Sequence, residues 1–507
     1  MISSTLVLLL PVLLYLLGAA GGRLYGWPVS AVCALLALLA SAVAALLAVS
    51  QPLSPLPWLA ATPLNLVMSL LVSLIGFIVV RFSVAYLAGD AVEARYRSWL
   101  QICLASVSLV VVTNHLLLLA LAWSTISISL HQLLVSYPDR FRAVLAAHKK
   151  FIFARLAEIC LMAAAVLLWK YHDTFLISEI LSSYAGTEPL AWQQQTAALL
   201  LAMAALIKCA QLPVHGWLMQ VVEAPTPVSA LLHAGIINLG GYLMILMAPL
   251  ISASTPARWL LLIVAGLTAV LAALIMMTRI SIKVRLAWST SAQMGLMLVE
   301  CALGLHELAL LHLVAHSCYK ANAFLGSGNA VLNHLDRKLA DKATERLALW
   351  LRNLIVSTAL TIALLWLLPG TLSPAEWSAW LLVIIALSLW LPAQTGGRTL
   401  IRNTVIAAAL LLAYLAQKAL FASLLPASAD AGWPAAIWTM TLFVLLLAGY
   451  GLLIMQRTAM SYRWRQWLFA GLYLDEWVTR TTLKLWPMKL PVNAARKPGH
   501  LNSSWSE

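Results

Sequence analysis

Long apolar runs follow one another along almost the whole of this sequence. Each covers about 18 to 25 residues, and a helix of that length crosses the ~30 Å hydrocarbon layer of a bilayer. Of the 507 residues, 62% are hydrophobic and 10% are charged, whereas charged residues make up about a quarter of an ordinary soluble domain. The pattern therefore predicts an all-α fold, a polytopic transmembrane bundle of about 13–15 helices.

The composition changes near residue 456 and divides the chain into two regions. Residues 1–456 contain the apolar runs, and the motifs described below are concentrated at about residues 200–330. Residues 457–507 alternate aromatic and basic side chains. We expect the first region to be a transmembrane ion-conducting domain. The second is expected to be a cytoplasmic amphipathic tail that lies on the membrane surface or docks a partner subunit.

The basic residues predict which way the chain is inserted. Nearly all of the 32 Lys and Arg residues lie in the tail or in loops that follow odd-numbered spans. One such stretch, HKKFIFAR at residues 148–155, is interpreted as a loop after the fifth span. The positive-inside rule then places the N-terminus outside the cell and the tail in the cytoplasm of an inner-membrane protein. The net charge of +14 is therefore an orientation signal, and we expect no nucleic-acid partner.

Three lysines fall inside apolar spans and need a functional reason. They are Lys208, Lys320 and Lys418. On insertion scales, placing a lysine near the bilayer centre costs about 2.5–3.5 kcal/mol of free energy. Side chains tolerated at that cost usually belong to proton or ion pathways.

The first lysine occurs in the stretch LIKCAQLPVH. Gln211 and His215 follow Lys208 at i+3 and i+7, which predicts that all three project from one helical face. Pro213 interrupts the helix between them, and a helix broken at mid-membrane frees carbonyl groups and makes room for water. We expect Lys208 to be part of an ion pathway.

The second lysine ends a stripe of titratable side chains in the eleventh span. His312, His316 and Lys320 recur every four residues in LHLVAHSCYKANAFLGSG, so they share one face of the helix. A single histidine in such a place is more often a core residue, but three groups in register favour a proton relay. His233 of the eighth span adds a further protonatable group, next to Ser229 and Asn238.

Other polar residues leave alternatives open. Lys418 is either part of the pathway or extends toward the outer interface. Glu223, in MQVVEAPTPVS, is either a helix-end carboxylate or the counter-ion of a channel lysine. Glu300, near the end of the tenth span, is placed at the outer interface. The six cysteines lie singly and without metal-ligand spacing, so we expect no metal or other cofactor in this chain.

Three stretches carry a resemblance to a known family. KCAQLPVHGWLMQVVEAPTPVSALLHAGIINLGGY, IKVRLAWSTSAQMGLM and LHLVAHSCYKANAFLGSG resemble the signature of the proton-conducting subunits of respiratory complex I and of Mrp sodium/proton antiporters. The resemblance implies inverted five-helix repeats with at least one broken helix. It also implies that Lys208 is the channel lysine, that His233 is the connecting group, and that His312, His316 and Lys320 form the relay.

Two departures argue against an ordinary complex I pump. Where the family has a glutamate after a tryptophan in the fifth span, this sequence has Ser124 after Trp123. The second broken helix of the family has no recognisable counterpart in ALLWLLPGTLSPAEW.

Within the family, the chain is most similar to the membrane subunits of two-subunit inorganic carbon transporters. That resemblance implies a soluble cytoplasmic partner similar to a zinc β-carbonic anhydrase. Protons or sodium ions entering through this chain would then power CO2 hydration on the partner, and the chain itself would not be an enzyme. The alternatives are a proton-pumping or antiporter subunit of a complex I-like or Mrp-like assembly, and a stand-alone transporter of a small solute.

Overall fold

The computed structural model describes most of the chain as α-helix. It covers residues 4–50, 56–138, 140–185, 189–329, 347–367, 372–391, 397–426, 430–455 and 459–487, and this part contains no β-strand. The helices are α1 Leu10–Tyr25, α2 Trp27–Ser50, α3 Pro63–Tyr86, α4 Glu93–Val112, α5 Leu116–Leu134, α6 Phe141–His172, α7 Ile177–Ser182, α8 Trp192–Lys208, α9 Gly216–Gln220, α10 Thr226–Ala234, α11 Leu239–Leu246, α12 Ala248–Ala253, α13 Thr255–Met277, α14 Ile282–Leu303, α15 His306–Leu325, α16 Leu347–Leu367, α17 Pro374–Trp390, α18 Gly397–Ala422, α19 Trp433–Met455, α20 Ala459–Phe469 and α21 Leu474–Leu485.

Ten helical segments within these ranges are long and apolar enough to cross a membrane. α4, α8, α14, α15 and α17 are nearly as long, at 17 to 22 residues. The first four of these are less apolar because they carry charged and polar side chains toward the interior of the bundle. The chain is thus an all-α, polytopic membrane protein, as the sequence predicts.

The predicted break after Lys208 is present. α8 ends at Lys208, and the chain resumes as α9 at Gly216. Side chains satisfy the backbone groups that the break leaves free. Gln211 donates to the carbonyl of Cys209 (2.8 Å), and Ser291 of α14 donates to the carbonyl of Ala210 (2.9 Å).

This geometry corrects one detail of the sequence prediction. Gln211 and His215 lie outside α8, so they do not share a helical face with Lys208. Gln211 stabilises the break, and the His215 ring packs against Trp288 with ring centres 4.9 Å apart. Neither side chain bonds to Lys208.

A second interruption lies between α10 and α11. α10 ends at Ala234, a short 3-10 turn covers Ile236–Asn238, and α11 follows. The Asn238 side chain donates to the Ala234 carbonyl (2.9 Å), which the interruption leaves without its helical partner. In an 18-residue window of Thr226–Leu246, 94% of the residues are buried, whereas in such a window of Ile401–Ala422 the share is 11%. The α10–α11 segment therefore lies at the centre of the bundle.

The stretch HKKFIFAR is helical, so its prediction as a loop is wrong. α6 begins at Phe141, and both Lys149 and Lys150 are buried within it. Their partners, described below, offset the cost of burying two charges.

The predicted tail contains α20 and α21. α21 packs against α6 and α9. Residues 457–458 and 488–507, which also belong to the predicted tail, lie outside the described residues. The division of the chain near residue 456 stays a prediction.

Candidate ion pathway

A group of four charged residues surrounds the break in α8, and we call it the lysine–glutamate cluster: Lys150, Arg155, Glu158 and Lys208. The Lys208 ammonium donates to Glu158 (3.0 Å) and to the Ser127 hydroxyl on α5 (2.9 Å). Lys150 donates to the backbone carbonyl of the same Ser127 (2.7 Å), and Arg155 pairs with the other Glu158 oxygen (2.6 Å). One carboxylate therefore serves two cations directly, and Ser127 links the two lysines.

Glu158 supplies the carboxylate that the fifth span lacks. Ser124 donates to the carbonyl of Ala120 one turn back and has no contact with Lys208. Sequence reasoning missed Glu158 because it compared only the fifth span with the family. The signal was present: Glu158 follows Lys150 by eight residues, which is close to two helical turns and places both on one face of α6.

A small cavity of about 30 Å³ lies beside this cluster. Its walls include Ser127, Lys150 and Lys208 on one side, and Leu232 and Ile236 of the α10 segment on the other. A space of this size is large enough for a water molecule. The cavity therefore extends from the lysine–glutamate cluster to the interruption after α10.

A second group lies between α10, α14 and α15, and we call it the histidine–lysine cluster: His233, Thr290, His316 and Lys320. His233 Nδ1 is 3.1 Å from the Thr290 hydroxyl, which donates to the Leu286 carbonyl (2.9 Å). Lys320 donates to that same carbonyl (3.0 Å) and to the Ser289 hydroxyl. A chain of polar atoms thus joins His233 to Lys320.

His316 lies one turn before Lys320 and is 4% exposed. Neither of its ring nitrogens has a hydrogen-bond partner among the residues that the structure describes. The buried imidazole is thus able to bind a water molecule or a passing proton on either nitrogen. Nearby, Asn238 donates to Ser317 (2.7 Å), which ties the interruption after α10 to α15.

Two ion pairs continue the row of charges, and we call them the C-terminal pairs: His312 with Glu300, and Lys418 with Glu376. His312 Nδ1 is 3.0 Å from Glu300, and the His312 and His316 rings are 6.1 Å apart between centres. Glu300 is only 13% exposed in its side chain. The sequence placed Glu300 at the outer interface rather than in the path; the structure pairs it with His312, and its position relative to the membrane stays a prediction.

A larger cavity of about 290 Å³ lies beside the first of these pairs. Glu300 and His312 line it together with Tyr414 and Gln417 of α18. Lys418, the next residue, donates to Glu376 at the first turn of α17. Glu376 belongs to ALLWLLPGTLSPAEW, which the sequence left without a role; residues 368–371 of this stretch lie outside the described residues. Lys418 has a carboxylate partner, and whether it lies in the pathway or at the outer interface stays a prediction.

Glu223 does not act as the counter-ion of Lys208. Its carboxylate is 4.0 Å from Arg142 and its side chain is 47% exposed. The helix-end alternative of the sequence analysis therefore fits this residue. Within the described residues, no group of three or more His, Cys, Asp or Glu side chains is arranged to hold a metal ion.

The buried row from Glu300 to Lys208 consists of carboxylate, imidazole and ammonium groups separated by hydroxyls and cavities. Such a row suits the stepwise movement of a small cation. The model of the NADH:quinone oxidoreductase/Mrp antiporter transmembrane family matches residues 113–394, which include most of this row. The chain belongs to this family.

Two curated relatives and one solved structure refine that assignment. A probable inorganic carbon transporter subunit DabB of Hydrogenovibrio crunogenus is 48% identical, and the match covers 97% of this chain and 96% of the relative. A DabB2 subunit of Halothiobacillus neapolitanus is 37% identical over 84% of this chain and 80% of the relative. An Mrp complex from Dietzia sp. shares the fold at TM-score 0.58 and 22% identity, over 97% of this chain and 58% of that one. The predicted resemblance to inorganic carbon transporter subunits is confirmed.

Proposed function

We propose that this chain is the membrane subunit of an energy-coupled inorganic carbon transporter in the inner (cytoplasmic) membrane. Its N-terminus lies outside the cell and its tail lies in the cytoplasm. Protons, or sodium ions, move through the chain down their gradient. The observation that carries this proposal is the buried row of titratable groups in a chain whose full-length relatives are named as inorganic carbon transporter subunits.

Cations enter from the outside through the cavity beside Glu300 and His312. They move along α15 from His312 to His316 and Lys320, each step covering four residues or about 6 Å along the helix. His233 connects this route to Lys208 through the small cavity at the break. The net charges of the lysine–glutamate cluster and of the histidine–lysine cluster change as each cation moves through. This change in charge is transmitted to the cytoplasmic side.

The energy of the ion gradient is used by a soluble zinc protein that binds on the cytoplasmic face and hydrates CO2 to bicarbonate. This partner is similar to DabA, the soluble subunit of such two-subunit transporters. Catalysis belongs to that partner because hydration at neutral pH needs a metal-bound water. This chain contributes binding of the partner and passage of the ion.

The test measures accumulation of radiolabelled inorganic carbon in cells that express the chain with its partner. We expect a protonophore or a sodium ionophore to abolish accumulation, and which of the two does so identifies the coupling ion. Lys208→Ala and Lys320→Ala each lower accumulation at least about tenfold. Lys170→Ala, at the exposed end of α6, is the matched control and keeps the wild-type level.

Purification of the intact complex separates this proposal from its alternative. Recovery of one large soluble zinc protein with the chain supports a carbon transporter. Recovery of quinone-linked or antiporter subunits instead, with unchanged inorganic carbon accumulation, would show a complex I-like or Mrp-like assembly.

A further inference from the structure

One acidic residue of the tail reaches the broken helix. Asp475, at the start of α21, accepts hydrogen bonds from Lys149 of α6 at 2.8 and 3.1 Å. It also accepts one from the side chain of Gln220 in α9 at 3.0 Å. Lys149 is fully buried and donates in addition to Thr479 of α21 (2.6 Å). Asp475 therefore holds three helices together at one point.

The Asp475 carboxylate also occupies the space beside Gly216, the first residue of α9. A Cβ atom at Gly216 would lie 1.4 Å from Asp475 Oδ1, so any side chain at this position would displace the Asp475 carboxylate. The second half of the broken helix thus begins directly against the tail carboxylate. Any displacement of Asp475 changes the surroundings of the segment that follows Lys208.

Lys149 and Lys150 connect this contact to the lysine–glutamate cluster. Successive residues of an α-helix point about 100° apart. Lys149 consequently faces Asp475 while Lys150 faces Ser127. The neighbouring His148 stacks on Trp486, just after α21, with ring centres 4.0 Å apart. α6 therefore carries the contact with the tail and the contact with the pathway on adjacent residues.

We propose that Asp475 is a positioning residue for the ion pathway: by binding Lys149, Gln220 and the start of α9, it fixes the broken helix and the two lysines of α6 in their working positions. This inference rests on the proposed function, because it concerns the pathway proposed above. It gives the tail a role beyond lying at the membrane surface. A partner that moves α21 would act directly on the surroundings of Lys208.

A structural measurement tests the positioning without relying on transport. Hydrogen exchange is followed on the purified complex, in wild type and in Asp475→Asn. We expect the backbone amides of residues 209–220 to exchange at least about tenfold faster in Asp475→Asn, because the charge that holds Lys149 and Gln220 is gone. Glu476→Gln is the matched control: Glu476 is the adjacent acid, and among the described residues it bonds only to Arg480, on the exposed side of α21. In Glu476→Gln, the backbone amides of residues 209–220 should exchange at the wild-type rate.

A transport measurement separates positioning from assembly. Inorganic carbon accumulation is measured against the concentration of the coupling ion. Loss of a negative charge near a cation path raises the half-saturating ion concentration, and we expect a rise of at least about fivefold in Asp475→Asn. Loss of assembly alone lowers the maximal accumulation and leaves the half-saturating ion concentration unchanged. Adding Lys149→Gln to Asp475→Asn removes the unpaired buried charge and should restore part of the wild-type behaviour.

The outcomes are distinct. Faster exchange at 209–220 with a raised half-saturating concentration supports the proposal, and equal behaviour of Asp475→Asn and Glu476→Gln in both measurements overturns it. If Asp475→Asn does not accumulate in the membrane, the neutral pair Lys149→Gln/Asp475→Asn replaces it in the exchange measurement, where faster exchange at 209–220 than in Glu476→Gln supports the proposal and equal exchange overturns it. Absence of carbon accumulation in wild type refutes the proposed function alone, because the exchange measurement still tests Asp475.

Discussion

Lys208 and Lys320 both belong to the proposed pathway, yet the protein holds them differently. Lys208 pairs with Glu158, which also binds Arg155. Lys320 is bound through neutral oxygens, the Leu286 carbonyl and the Ser289 hydroxyl. Its neighbours in the histidine–lysine cluster are imidazoles and a hydroxyl rather than carboxylates.

The difference in how the two lysines are bound indicates that the two clusters have different tasks. A buried ion pair is stabilised as a set, and removing one member leaves an uncompensated charge. The lysine–glutamate cluster therefore suits a fixed arrangement of charges that responds when a cation approaches. The histidine–lysine cluster has no carboxylate to compensate its lysine, so it suits a site where a charge is accepted and passed on.

The largest effect is expected from Glu158→Gln. This change leaves Arg155 and Lys208 without their shared carboxylate. Breaking a buried pair in this way costs about 3–5 kcal/mol of the free energy of unfolding. Thermal unfolding of the purified complex and the amount of chain in the membrane measure this loss. Glu179→Gln, at an exposed position of α7, is the control, and an unchanged unfolding temperature in Glu158→Gln would contradict the comparison.

The next test replaces each lysine by methionine. Lys208→Met leaves Glu158 partly unpaired and lowers stability, by about 1–3 kcal/mol. Lys320→Met leaves no carboxylate behind, so stability stays at or above the wild-type value while inorganic carbon accumulation is lost. Both are measured by thermal unfolding and by accumulation in cells. Equal destabilisation by the two changes would show that the clusters do not differ in the way described.

A smaller effect is expected at the C-terminal pairs. Lys418 and Glu376 are partly exposed, and such pairs contribute about 1 kcal/mol or less. Lys418→Ala should therefore reduce accumulation only about threefold, whereas Lys418→Arg, which keeps the charge, should leave it nearly unchanged. Complete loss of accumulation in Lys418→Ala would place this pair among the essential groups.

The smallest effect is expected from Ser124→Glu, which introduces the carboxylate that the family has in the fifth span. Ser124 bonds to its own helix and does not line the cavity beside Lys208. We expect unchanged accumulation. Rescue of Glu158→Gln by Ser124→Glu would show instead that a carboxylate on α5 is able to replace the one on α6.

The sequence predicted the features that depend on local pattern. Four-residue spacing placed His312, His316 and Lys320 on one helix face, and the proline after Lys208 indicated the broken helix. The all-α, membrane-spanning type of fold followed from the length of the apolar runs. These predictions succeed because a bilayer permits few backbone arrangements.

The features that sequence reasoning missed are contacts between distant parts of the chain. Glu300 was placed outside the path because nothing in α14 indicates that His312 lies opposite it. The burial of Lys149 was missed because its partner, Asp475, lies more than 300 residues further along the chain. A charged stretch such as HKKFIFAR resembles a solvent-exposed loop until the residues that neutralise it are known.

The position of two adjacent lysines on α6 restricts how this protein can change during evolution. Inserting one residue between Lys150 and Glu158 would rotate the preceding part of α6 by about 100°, so that Lys150 takes the place of Lys149 opposite Asp475 and another residue faces Ser127. A substitution at the exposed Leu156 of this stretch costs far less than a change in its length. Among relatives that keep both contacts, we expect Leu156 to differ freely in identity while gaps and insertions between Lys150 and Glu158 are absent.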